Sequence, residues 1–161
     1  AKKTLIVLWS DHGWHLGEKQ LWAKRSLWEE STCVPLIFSG PGLGRSRCDR
    51  PVQLLDIYPT LVELCSLAKP PQKLEGHSLL PLLSQPNSPW PYPAITTFHC
   101  NDHSVRTDRW RYISYANGDE ELYDHSLDSN EWNNLAHNLK YRAVIAELKA
   151  HLPKVNVPQA R

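Results

Sequence analysis

The apolar positions of this chain fall into short runs, and each run has a definite stop. Leu5 to Trp9 is apolar throughout, which predicts a strand buried on both faces, as in a parallel sheet. It ends abruptly in Ser10-Asp11-His12-Gly13. Residues 34–42, VPLIFSGPG, predict a second short strand closed by Gly-Pro-Gly turn chemistry. Residues 19–31, between the two strands, show no clean apolar stripe and predict helix only in part. In residues 52–67 a short strand or loop leads into a helix. Asp56 is placed to cap that helix, Pro59 fits its first turn, and Leu61, Leu64 and Cys65 share a face.

Residues 76–83, GHSLLPLL, predict a short helical turn. Pro81, Pro86, Pro89, Pro91 and Pro93 then enforce an extended connection. A boundary is expected there, dividing the chain into 1–85 and 86–161. Beyond it, residues 94–100 and 110–116 predict strands. Asn117-Gly118-Asp119-Glu120 is a turn signal, and residues 121–126 are expected to pair back as a hairpin. Residues 139–152 carry the clearest helical pattern, with Tyr141, Val144, Ile145, Leu148 and Leu152 on one face and Pro153 as the stop. The fold class expected is α/β: an α/β piece followed by a small antiparallel sheet with a covering C-terminal helix.

Composition narrows the function classes. The chain has 161 residues, 41% hydrophobic and 22% charged, enough for a domain with a real core. A net charge of +1 gives no electrostatic case for nucleic acid. No apolar run approaches the ~20 residues of a membrane span. The start, Ala1-Lys2-Lys3, shows no secretory signal, which is compatible with a mature chain, a cytosolic protein or a fragment. Cys33, Cys48, Cys65 and Cys100 permit disulfides without arguing for them, and no pair has Cys-x-x-Cys spacing. Trp9, Trp14, Trp22 and Trp28 crowd the first thirty residues and are expected in the core and cleft wall.

The chemistry concentrates where the first strand stops. Ligands of open α/β sheets bind beyond the carboxyl ends of the strands, and Asp11 and His12 stand at such an end. A loop turning at Gly13 can bring both side chains to one ion. A carboxylate with an imidazole suits zinc, and a carboxylate-rich site suits calcium or magnesium. A solvated turn or a capped helix start is the alternative for the same residues.

The segments SDHGWHLGEK, LWAKRSLWEES and VPLIFSGPG follow one another in this order. So do VQLLDIYPTLVEL, EGHSLLPLL, VRTDRWRYI and EELYDHSLDSNEWNNLA. Together they resemble the sulfatase family of the alkaline-phosphatase-like superfamily, with the nearest likeness to its iduronate-2-sulfatase-like branch. The resemblance implies that Asp11 is a ligand of a divalent cation, usually calcium, and that His12 completes or borders that site. It implies that Lys24 contacts the sulfate group. His103 and Arg106 lie in a segment resembling a return loop that approaches the cleft. There they are candidates for substrate contact, against a surface histidine and a structural arginine. His15 and Lys19 are candidates for the pocket mouth, with a solvated charge as the alternative for Lys19. His77 is expected to support a turn, and His125, His137 and His151 to lie on the surface.

The family's nucleophile is a formylglycine made from the cysteine of Cys-x-Pro-x-Arg. Cys33-Val34-Pro35-Leu36-Ile37 begins correctly but has Ile37 in place of Arg, and the other cysteines have no such context. The paired aspartates that open the family's first strand are absent too. The expectation is therefore the C-terminal part of a sulfatase, inactive alone, whose partner is the N-terminal part of the same enzyme. Its substrate would be a sulfated carbohydrate or another sulfate ester. Relatives are commonly exported, periplasmic or lysosomal. Two other readings stand beside it: a two-zinc phosphodiesterase or phosphatase of the same superfamily, and a catalytically dead remnant that binds an anion or a partner chain.

Overall fold

The computed structural model describes residues 3–158. In chain order the elements are β1 (Ile6–Trp9), α1 (Glu29–Thr32), β2 (Leu36–Ser39), α2 (Ile57–Leu64), α3 (Leu80–Ser84), β3 (Ala94–Thr97), β4 (His103–Arg106), β5 (Trp110–Ser114), β6 (Glu120–Asp124) and α4 (Arg142–Lys149). Single 3₁₀ turns occupy Glu18–Gln20, Leu54–Asp56 and Leu139–Tyr141. The chain divides into two compact units that do not follow sequence order. One comprises residues 3–11 and 35–92, the other residues 12–34 and 93–158.

In the first unit β1 pairs with β2 in antiparallel register, Ile6 opposite Ser39 and Trp9 opposite Leu36. This corrects the parallel, doubly buried strand expected from Leu5–Trp9. Ile6, Leu8, Trp9 and Ile37 are each more than half exposed. An apolar run states a preference for burial, whereas pairing direction depends on which segment returns beside it. The helix expected in 52–67 is α2, entered through the 3₁₀ turn. Asp56 is buried and does not cap α2 with its side chain. Its carboxylate instead accepts from the Gln53 N–H and the His77 N–H, each at 2.8 Å. Thr60 Oγ1 accepts from the Leu79 N–H at 2.8 Å. These polar clasps tie the segment before α3 to α2, and Leu79 and Leu82 complete the apolar packing.

The second unit is built on a four-stranded antiparallel sheet in the order β3-β4-β5-β6. The register places Val105 opposite Tyr112, and Tyr112 opposite Leu122. Those three side chains are fully buried on one face, against Ile145 and Leu148 of α4. All five apolar residues assigned to the helical face take part in that cluster. The pleat sends Ile113 and Tyr123 to the other face, where Leu27 covers them with Trp28 at the edge. The sheet is thus buried on both sides, by α4 and by the segment 12–34. Each buried aliphatic side chain contributes roughly 1.5–3 kcal/mol.

Strand β4 was not expected. Among His103, Ser104, Val105 and Arg106 only one residue is apolar, so no strand pattern is visible. Its two neighbouring strands impose the conformation. The helix expected in 19–31 is reduced to α1, because Gly17, Lys19 and Gln20 all take positive φ and break the helical path. All four cysteines are free thiols. Among the described residues no helix is long and apolar enough to cross a membrane.

Candidate functional site

The loop after β1 is held by backbone bonds that fold it back on itself. In the second unit, the Gly13 N–H donates to Ser31 O at 2.9 Å, and the His15 N–H donates to Ala23 O at 2.9 Å. Gly13 is required by close approach: a Cβ there would lie 1.9 Å from Glu30 O. Gly17 reverses the chain at φ 119° and donates to Leu21 O at 3.1 Å. The doubling brings Lys24 to His12 across twelve residues.

The geometry at His12 defines its proton. Nδ1 lies 2.8 Å from Gly13 O, which can only accept, so Nδ1 carries the hydrogen. Nε2 is then a lone pair, and Lys24 Nζ donates to it at 2.8 Å. Lys24 is exposed and His12 half-buried. Asp11 is exposed and ends the opening segment of the first unit, and His12, the next residue, belongs to the second.

A polar chain runs through the same loop. His15, expected at a pocket mouth, is fully buried instead. Its Nε2 lies 2.8 Å from Ser26 Oγ, which donates to Ser31 Oγ at 2.8 Å. Lys19, too, is no solvated charge: its ammonium sits 4.8 Å from the Trp28 ring and 4.6 Å from the Tyr123 ring. Both residues brace the loop from inside the second unit.

A buried ion network fixes α1 to the sheet. Arg111 is 2% exposed; it pairs with Glu29 and, at 2.5 Å, with Glu131, which is fully buried. Arg111 Nη1 also donates to Leu27 O at 3.1 Å and to Ser104 Oγ at 2.7 Å. Glu131 Oε2 accepts from the Glu29 N–H at 3.0 Å. His125 bridges the set. Its Nδ1 accepts from Arg106 Nη2 at 2.9 Å, and its Nε2–H donates to Glu131 Oε1 at 2.8 Å. Glu29, His125 and Glu131 bring three ligand atoms within 4.8 Å, yet two guanidinium groups already neutralise the two carboxylates. That balance disfavours a cation there. Burial works to raise the Glu29 carboxyl, but the charges of Arg111 and Arg106 outweigh it and hold the group below the ordinary 4.5.

Arg106, expected to contact substrate, turns its nitrogens to Glu29, Thr107 O and His125. His125, expected on the surface, belongs to the network, whereas His137 and His151 are exposed as expected. Sequence reasoning missed Glu29, Arg111 and Glu131. Their spacing of 82 and 20 residues leaves no local signal. His103 is 3% exposed, with Nδ1 2.8 Å from Thr97 Oγ1. Desolvation of the Cys33 sulfur, and then the Glu29 charge, raise its thiol, which suppresses the reactive thiolate.

The family described as N-sulphoglucosamine sulphohydrolase, C-terminal, matches residues 17–158. A sulfatase of Formosa agariphila is 48% identical over 157 residues, covering 97% of this chain and 31% of its own length. A solved 2-O GAG sulfatase is 33% identical with a TM-score of 0.77, over 92% of this chain and 35% of that one. A further structure, solved with its substrate D-glucosamine-2-N,6-O-disulfate, is 25% identical with a TM-score of 0.77, over 92% of this chain and 33% of its own. The chain therefore spans about a third of the length of the relatives it matches.

Proposed function

The chain belongs to the N-sulphoglucosamine sulphohydrolase C-terminal family, and from that premise we propose that it is part of a sulfuric ester hydrolase acting on a sulfated carbohydrate. The observation that carries the reading is the meeting of Lys24 Nζ and His12 Nε2 at 2.8 Å, on a loop that the buried network holds in place. The iduronate-2-sulfatase-like branch is the proposed subtype.

Sulfate-ester cleavage develops negative charge on the leaving oxygen and on the sulfuryl oxygens. An exposed ammonium with three donors acts where that charge appears. Lys24 is proposed to turn from His12 to those oxygens. Asp11 and His12 are the proposed ligands of a divalent cation, calcium by resemblance. The donor set fits: a carboxylate, and an imidazole whose Nδ1–H is anchored to a carbonyl so that Nε2 offers its lone pair. Lys24 and a cation are alternatives at that one atom, so moving Lys24 to the sulfate frees the ligand position. The cation would supply positive charge to the sulfuryl oxygens. Arg106 is proposed to act through the network that holds α1, and His103 to contact the sugar. None of the four cysteines has the formylglycine context. The nucleophile is therefore proposed to come from outside these residues.

The test is sulfate release from a sulfated monosaccharide, by the protein that unites this chain with a formylglycine centre. Lys24→Ala is expected to lower kcat by about 10²–10³, and chelation of divalent cations to suppress turnover. Sulfate release that ignores Lys24→Ala, or faster cleavage of the matching phosphate ester, would overturn the reading.

A further inference from the structure

His15 is a buried ionisable residue that the proposed chemistry leaves unused. Its ring is fully buried and meets Trp28 edge-on, with 5.9 Å between centroids. The backbone N–H of this one residue donates to Ala23 O at 2.9 Å, and its Nε2 lies 2.8 Å from Ser26 Oγ. The two bonds land on either side of Lys24. Between them the Ser26 N–H donates to Lys24 O at 3.0 Å and closes the turn that presents the lysine. The proton order follows from Ser26. Its one hydroxyl hydrogen goes to Ser31 Oγ at 2.8 Å, so its oxygen accepts from His15 Nε2–H. Another contact to that oxygen, from the Trp28 N–H, is long at 3.4 Å. Ser31 belongs to α1, so the ring joins the Lys24 turn to an element that the ion network holds. The second ring nitrogen does not share the task. Nδ1 has no hydrogen-bond partner, and Glu30 Oε2, 4.0 Å away, is beyond hydrogen-bond reach. Lys24 is exposed, on a flexible four-carbon stem, so its direction depends on the backbone that carries it.

We infer that His15 is the positioning residue of Lys24: its Nε2–H bond to Ser26 sets the turn that directs the ammonium to His12 Nε2 and, in turnover, to the sulfuryl oxygens. The direction toward His12 stands on the geometry alone, and the direction toward sulfate rests on the proposed sulfatase function. Without the bond, the backbone still ties Ala23, while the Ser26 side of the turn is free to shift. A misplacement of about 1 Å is enough to spoil a contact of this kind.

Nitrogen-15 NMR of the His12 ring in the chain reads that direction. Lys24→Ala removes the donor to Nε2, and the change it makes in the Nε2 resonance is the full scale. His15→Leu is expected to move the resonance most of the way to the Lys24→Ala position. His15→Gln, whose amide reaches the place of Nε2, should restore it, whereas His15→Asn, whose amide reaches only the place of Nδ1, should not. Ser26→Ala deletes the acceptor without touching the buried ring and should reproduce the His15→Leu shift. Methyl resonances of Ile145 and Leu148, on the far face of the sheet, report whether each variant is folded, and Ser26→Ala decides if His15→Leu is not. A His12 resonance that ignores His15→Leu and Ser26→Ala, or that Asn restores as well as Gln, overturns the inference. Kinetics of the protein that unites this chain with a formylglycine centre separate it from the proposed function. His15→Leu should lower kcat about tenfold or more with KM little changed, and add nothing in the Lys24→Ala background. Additive losses would overturn a role exerted through Lys24. If Lys24→Ala slows sulfate release while the His12 resonance ignores His15, the positioning role falls and the proposed function stands. If the resonance responds but release ignores Lys24→Ala, the direction toward His12 stands and the sulfate contact falls.

Discussion

Replacing Arg111 with methionine tests the ion network on which the loop's position depends. Methionine keeps much of the apolar volume but deletes the charge. The change removes ion pairs to Glu29 and Glu131 and hydrogen bonds to Leu27 O and Ser104 Oγ. Glu131 is then left fully buried, its carboxylate still bonded to His125 and the Glu29 N–H but without its guanidinium partner. Breaking a buried pair by removing one partner costs about 3–5 kcal/mol, because a charge remains uncompensated. Against a total stability of about 5–15 kcal/mol, that is a large fraction. Urea titration followed by tryptophan fluorescence measures it. The double variant Arg111→Met, Glu131→Gln should recover about 1.5 kcal/mol or more relative to additivity, since it no longer strands a charge. Arg111→Lys keeps one charge but loses the fork, and should fall between wild type and Arg111→Met. The network also sets an acid limb. The Glu29 carboxyl is held below 4.5, so its contribution is complete above that value and is lost as pH falls through the lower folded value. A loss under about 1 kcal/mol for Arg111→Met, or additive doubles, would refute the argument.

Three further outcomes follow from other contacts. Gly13→Ala sets a Cβ against Glu30 O, a backbone atom that cannot swing away, and should cost about 2 kcal/mol or more; an unchanged urea midpoint would contradict the close approach. Asp56→Asn turns one acceptor into a donor facing a buried N–H, at about 1–3 kcal/mol, whereas a neutral result would show that one oxygen serves both partners. Asp124 is held down to about 2, first by its hydrogen bond with Arg109 and then by Ser126, against an ordinary 3.8. Its contribution is complete above 3.8 and lost as pH falls to about 2. The melting-temperature gap between wild type and Asp124→Asn should therefore close over that interval, and a constant gap would sink the assignment.

Local pattern alone determined a good deal. Helical spacing at Tyr141, Val144, Ile145, Leu148 and Leu152 named the face that covers the sheet, because one turn repeats a face every three to four residues. Turn chemistry at Asn117–Glu120 marked the β5–β6 hairpin, since few residues accept the backbone that such a turn needs. The order of short segments carried the family, and the match over residues 17–158 bears it out. The tertiary structure decided what depends on distant partners. β4 exists because strands on both sides pair with it, although its own residues are mostly polar. β1 runs antiparallel to β2 because chain return, not hydrophobicity, sets direction. His15 reads as a pocket-mouth residue and His125 as a surface one in sequence, yet His15 is buried and His125 half-buried, because Ser26 in one case and Glu131 in the other meet their ring nitrogens. Glu29, Arg111 and Glu131 hold the Lys24 loop from far apart in the chain. A buried charge is tolerated only beside its counter-charge, and that neighbourhood comes into being when the chain folds.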